Sequence, residues 1–137
     1  MIKTGSEEKY VLDTSACLAF LEDEDGADTV EEILRTKKCL LPSVVLLEVY
    51  YVTFRNKGEE IADKRYAMLK SLGAEFLWEI DESILITAGR FKGQYRLSLA
   101  DAIIAAFAKR EGAVLVHKDP EFDLLKKEVS QLALPKK

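Results

Sequence analysis

LSLADAIIAAFAKREGAVLVHKDPEF, residues 97–122, is the stretch that decides how this chain folds. Ser98 stands where a helix cap belongs, and a single charge, Asp101, interrupts the apolar run 97–108. Lys109 and Arg110 fall where cations complement the free carbonyls of a helix end, and Gly112 marks the stop. AVLV (113–116) follows at once, too short for a buried helix, and reads as a strand. Asp119-Pro120 then fits a cap followed by proline at a first helical position. A helix that is apolar nearly all round and runs straight into an apolar strand belongs to a sheet covered by helices.

The same alternation extends in both directions. Strands are expected at about 9–13 (KYVLD), 38–41 (KCLL), 74–78 (AEFLW), 113–116 and, weaker, 130–133. Helices are expected at about 14–22, 26–37, 43–57, 59–72, 81–95 and 98–111, with a short one near 120–127. Pro42-Ser43 opens a helix after a strand, Gly58 separates two helices, and Gly73 repeats the helix-to-strand punctuation of Gly112. Strands alternating with helices give a parallel sheet covered on both faces. The expected architecture is α/β: a three-layer α/β/α domain around a central parallel sheet of four to five strands. One domain is expected over residues 1–137, with residues 1–8 a loose N-terminal extension.

Bulk properties agree with an ordinary globular chain. Hydrophobic residues make up 48% and charged residues 32%, which excludes a disordered polymer. The net charge of −4 exerts no overall attraction for nucleic acid, although bound cations would offset clustered acids. MIKTGSEEK lacks the apolar core of a secretory signal, and no apolar run reaches the roughly 18–20 residues of a membrane span. Cys17 and Cys39 are isolated in apolar company and the only histidine is His117, so a structural zinc site is not expected. Both read as reduced core residues of a cytoplasmic protein. A G-x-G-x-x-G fingerprint and a phosphate-binding P-loop are both missing from the sequence.

Four carboxylates occupy places where carboxylates are costly. Asp13 ends YVLD, Glu48 is the only charge in VVLLEVYYVTF (44–54), Asp101 the only one in 97–108, and Asp119 follows AVLVHK. An ionised carboxylate against a core is unfavourable unless it is paired or metal-bound. Helices of β-α-β units run antiparallel to the strands, so strand C-termini and helix N-termini share one edge of the sheet. Asp13 and Asp119 fall at strand ends, Asp101 and Glu48 in the first and second turns of helices, so all four belong to that edge, where ligands of open α/β sheets bind. Three of them also fit local capping: Asp13 before Thr14-Ser15, Asp101 in the capping box Ser98-x-x-Asp101, and Asp119 before Pro120. Glu48 lies about five residues past the cap and has no such role. Oxygen ligands without His or Cys suit Mg²⁺ or Mn²⁺, which can activate water for phosphodiester hydrolysis.

In order and kind, VLDTSACLAFL, LLPSVVLLEVYYV and LSLADAIIAAFAKREGAVLVHKDPEF resemble the PIN-domain nucleases, most closely the VapC-type toxins of prokaryotic toxin–antitoxin pairs. The resemblance runs from Tyr10 to about Leu134. It implies a Mg²⁺- or Mn²⁺-dependent endoribonuclease with catalytic, metal-holding Asp13, Glu48, Asp101 and Asp119. It implies products ending in 5′-phosphate and 3′-hydroxyl, an RNA substrate, a small antitoxin partner and a homodimer. Thr14 and Ser15 would support the site. His117 stands where the family carries Thr or Ser, as a third supporting residue or as a part-exposed loop residue. Arg90, Lys92 and Arg96, around FKGQYR, form a small basic patch that could meet substrate phosphates or be a solvated helix end. Alternatives are a PIN nuclease of RNA processing or decay without an antitoxin, and a catalytically inert binding module.

Overall fold

The YVLD and AVLV runs lie side by side in the middle of one parallel sheet. A computed structural model of the chain describes residues 8–135; the expected extension, apart from Glu8, lies outside the described residues. In chain order the elements are β1 (Lys9–Leu12), α1 (Thr14–Leu21), α2 (Ala27–Thr36), β2 (Lys38–Pro42), α3 (Ser43–Lys57) and α4 (Glu59–Lys70). They continue with β3 (Glu75–Leu77), α5 (Glu82–Gln94), α6 (Leu99–Glu111), β4 (Val114–His117), a 3-10 helix (Pro120–Leu125) and β5 (Gln131–Ala133). The five strands are all parallel in the order β3-β2-β1-β4-β5, and helices flank them. The expected helix near 120–127 is therefore a 3-10 helix, and the weak strand at 130–133 is the sheet edge beside β4.

Strand composition follows position. Val11, Leu12, Leu40, Leu41, Leu115 and Val116 of the central strands are buried, as a sheet covered on both faces requires. The outer strands β3 and β5 have only three residues each and are partly exposed, which limits unwanted edge pairing. α6 is buried along most of its length, from Asp101 to Ala108 apart from Ile103, and lies on β1 and β4. α2 instead buries the single stripe Ala27, Val30 and Ile33, with acids and Arg35 outward. Gly112 closes α6 in the left-handed region at φ 61°, where its N–H meets the last carbonyls. Cys17 and Cys39 are buried free thiols. Among the described residues no helix is long and apolar enough to cross a membrane.

Strand order decides where the crevice lies. The chain adds β2 and β3 on one side of β1 and then returns to add β4 and β5 on the other. The carboxyl ends of β1 and β4 therefore flank the point where the winding reverses, and a crevice opens there.

Candidate active site

The residues following β1 and β4 meet in that crevice. Leu12 pairs with Val116, and the Asp13 backbone N–H donates to the Val116 carbonyl at 3.1 Å, so the chain turns into α1 directly beside β4. A cleft of about 380 Å³ results, and Asp13, Glu48, Asp101 and Asp119 all line it. Thr14, Ser15 and Glu121 line it too. Four elements thus deliver the four acids to one place: the start of α1, the second turn of α3, the first turn of α6 and the start of the 3-10 helix.

Asp13 caps and faces the cleft at once. Its side chain accepts from the Ala16 N–H at 2.7 Å and from the Ser15 hydroxyl at 2.8 Å. Ser15 Oγ in turn accepts from the Lys118 N–H at 2.8 Å, tying the start of α1 to the segment that carries Asp119. Asp13 is only 2% exposed. Burial, helped by the nearby Asp119 charge, pushes its carboxyl up to about 7 against the stabilising Ala16 and Ser15 bonds.

Asp101 escapes the capping box that its spacing suggests. Ser98 Oγ does accept from the Asp101 N–H at 3.1 Å, which is half of that motif. The other half is made by Glu121, whose Oε1 accepts from the Ser98 N–H at 3.3 Å. The Asp101 carboxyl is released into the cleft, where carboxylate oxygens of Asp101, Asp119 and Glu121 all lie within 4.8 Å of one another. Burial first, then shared hydrogen bonds with Glu121 and Asp119, hold Asp101 well above the usual carboxylate range. A group of acids that retains a proton in this way is a site short of positive charge.

Asp119 also has two tasks: its Oδ1 accepts from the Glu121 N–H at 2.9 Å, capping the 3-10 helix, while its carboxylate borders the cleft. Glu48 is half-buried and has one side-chain partner among the described residues, the Thr14 hydroxyl, which donates to Oε1. Oxygen donors from five acids fit a hard divalent cation and not zinc.

His117 is no part-exposed loop residue. It ends β4, is 2% exposed, and uses both ring nitrogens: Nδ1 accepts from the Asp119 N–H at 3.1 Å and Nε2 lies 2.9 Å from Gln131 Oε1. Burial lowers its pKa from the ordinary 6.5. Its ring does not line the acidic cleft. Nor do Arg90, Lys92 and Arg96; Lys92 donates to the Leu97 carbonyl at 2.8 Å, which holds it at the approach to α6.

A family model described as PIN domain matches residues 10–128. The chain belongs to the PIN domain family. Solved structures with a similar PIN fold include VapBC2 from Rickettsia felis bound to a DNA fragment from their promoter. That alignment has TM-score 0.77 and 19% identity, covering 93% of this chain and 99% of that one. DNA-bound VapBC from Salmonella typhimurium aligns with TM-score 0.76 and 19% identity over 92% of this chain and 98% of that one. VapC20 of Mycobacterium tuberculosis, a sarcin–ricin loop cleaving toxin, aligns with TM-score 0.68 and 17% identity over 84% and 93%. At such identities the likeness is one of fold. No curated protein sequence matches this chain.

Sequence reasoning passes over Glu121. Its signal is its place in HKDPEF, two residues past Asp119 in the first turn of an expected helix, which sets it beside the strand ends.

Proposed function

We propose that this PIN domain is a Mg²⁺- or Mn²⁺-dependent endoribonuclease acting as the toxin of a toxin–antitoxin pair in the cytoplasm. The observation that carries the proposal is the convergence of Asp13, Glu48, Asp101 and Asp119 on one cleft, with Asp13 and Asp101 held at raised pKa by burial and by neighbouring acids. Asp13, Asp101, Asp119 and Glu121 would hold the cation, with Glu48 lining the same cleft. When bound, the cation neutralises phosphate charge and acidifies water for attack on phosphorus. Thr14 orients Glu48 through Oε1, leaving Glu48 Oε2 to take a proton from the attacking water. Ser15 fixes the Asp13 carboxylate and the Lys118 amide together, so the two halves of the site keep their spacing. The products would carry 5′-phosphate and 3′-hydroxyl ends.

Apolar surface beside the acids supports protein partners. A hollow of about 460 Å³ lined by Leu47, Tyr51, Ile80, Leu99 and Ile103 also touches Glu48 and Ser98. Leu47 and Leu99 are 60% and 64% exposed, and exposed apolar surface of this kind marks interaction sites. An antitoxin, a second copy of the chain, or both would bury it, and an antitoxin seated there would border the acids. A toxin–antitoxin complex from Klebsiella pneumoniae contains a chain of similar fold. The proposal is tested by incubating purified protein with RNA in Mn²⁺ and in EDTA and determining the product ends. Cleavage that persists in EDTA, or 2′,3′-cyclic ends, overturns it.

A further inference from the structure

Around His117 the hydrogen bonds make a chain that bridges the first turn of the 3-10 helix. Asp119 N–H donates to His117 Nδ1 at 3.1 Å, His117 Nε2 meets Gln131 Oε1 at 2.9 Å, and Gln131 Nε2 donates to the Phe122 carbonyl at 2.7 Å. A backbone amide can only donate, so Nδ1 is the acceptor and Nε2 bears the ring hydrogen. That hydrogen goes to Gln131 Oε1, which leaves the Gln131 amide nitrogen as the donor to Phe122. Each link therefore fixes the polarity of the next.

The ends of this chain grip one short segment. At one end is the amide of Asp119, at the other the carbonyl of Phe122, and Glu121 lies between. The imidazole is buried, with its ring 4.9 Å from that of Phe122. Gln131 sits on the edge strand β5, in register with Leu115 of β4. Asp119 and Glu121 supply two of the three carboxylates whose oxygens lie within 4.8 Å of one another. Ligand groups must be held within about 0.5 Å of their productive places, and partners outside the ligand shell commonly do the holding.

We propose that His117 and Gln131 are positioning residues: a hydrogen-bonded clip that sets Asp119 and Glu121 for a divalent cation. The proposal rests on the reading of the cleft as a cation site. A hydroxyl at position 117 would accept from the Asp119 amide but would not extend to Gln131. Gln131 thus serves both His117 and the Phe122 carbonyl, and the share of its importance that runs through the imidazole should be lost when the histidine is replaced by threonine.

The test is a double-mutant cycle read by Mn²⁺ binding calorimetry on metal-free protein, with melting temperature as the stability control. Gln131→Leu should weaken Mn²⁺ binding about tenfold, and His117→Thr should bind within about threefold of wild type. Adding Gln131→Leu to His117→Thr should cost clearly less than the same change costs in wild type, because only the bond to the Phe122 carbonyl remains to be lost. Wild-type affinity in Gln131→Leu, or an equal loss in both backgrounds, overturns the clip. A second measurement needs no variant: His117 is the only histidine, so the nitrogen spectrum of the untagged protein reports its tautomer directly. Hydrogen on Nε2 with bare Nδ1 is expected; the opposite tautomer, or rapid averaging, overturns the clip. Should wild type bind Mn²⁺ and show the clip yet cut no RNA, the nuclease reading fails and the clip stands. Should wild type cut RNA while Gln131→Leu binds Mn²⁺ normally, only the clip fails.

Discussion

Replacing Asp13 by Asn should stabilise the metal-free protein at pH 8 and leave it nearly unchanged at pH 4. The side chain is 2% exposed and its carboxyl is pushed from the ordinary 3.8 up to about 7, chiefly by burial. In the unfolded chain the group ionises near 3.8; in the folded chain it keeps its proton until about 7. Folded protein therefore holds more protons between these values, and stability falls as pH rises through that window. Above about pH 7 the ionised, buried form carries a penalty of at most about 4 kcal/mol. Asn copies the neutral form: its oxygen can still accept from the Ala16 amide and the Ser15 hydroxyl, the bonds Asp13 makes at 2.7 and 2.8 Å. Allowing for relaxation of the neighbouring acids, we expect a gain of about 2–4 kcal/mol at pH 8, or roughly 6–12 °C in melting temperature. Denaturant unfolding of both proteins in EDTA across pH 4–8 measures the difference. Saturating Mn²⁺ should then stabilise wild type but not the variant. A variant less stable than wild type at pH 8, or a difference independent of pH, refutes the reasoning.

Other residues give sharper division of labour. Thr14→Val removes the only side-chain bond to Glu48 among the described residues; RNA cleavage should fall about tenfold while Mn²⁺ affinity holds and stability changes by less than about 1 kcal/mol. Glu121→Gln keeps an oxygen for the Ser98 amide but removes a charge from the acid cluster. Titration calorimetry should show Mn²⁺ affinity at least about tenfold weaker, with the helix cap intact. Gly112→Ala serves as a control far from the chemistry: at φ 61° it should lose about 1 kcal/mol by denaturant melting, with Mn²⁺ affinity unchanged.

Local pattern makes most of the fold legible. Caps, glycine stops and short apolar runs set the helices and strands close to where they lie, because helix ends and buried parallel strands have strong local chemistry. Strand order is not legible, since it depends on which faces pair and not on any one segment. The acids divide along the same line. Glu48 stands out because every neighbour from Val44 to Tyr51 is apolar or aromatic, a property of sequence alone. Asp101 looks like a cap because the residue that displaces it from that role, Glu121, is distant in sequence and arrives through the fold. His117 is ambiguous for a similar reason: its ring packs against Phe122 of the 3-10 helix and its Nε2 meets Gln131 in β5, the strand with the weakest pattern. The basic residues Arg90, Lys92 and Arg96 are grouped by sequence proximity, which says nothing about the cleft they stand outside.

The central claim is that the acidic cleft holds a divalent cation that the nuclease reaction requires. It is met most directly by measuring RNA cleavage against Mn²⁺ concentration for wild type and Asp101→Asn, both shown to be folded. Asn at 101 can still donate to the neighbouring carboxylates while lacking a charge of its own, so the fold should persist. Saturable, Mn²⁺-dependent cleavage by wild type and none by the variant at any Mn²⁺ concentration is the predicted result. Equal cleavage by the two proteins, or wild-type cleavage indifferent to Mn²⁺, would contradict the account.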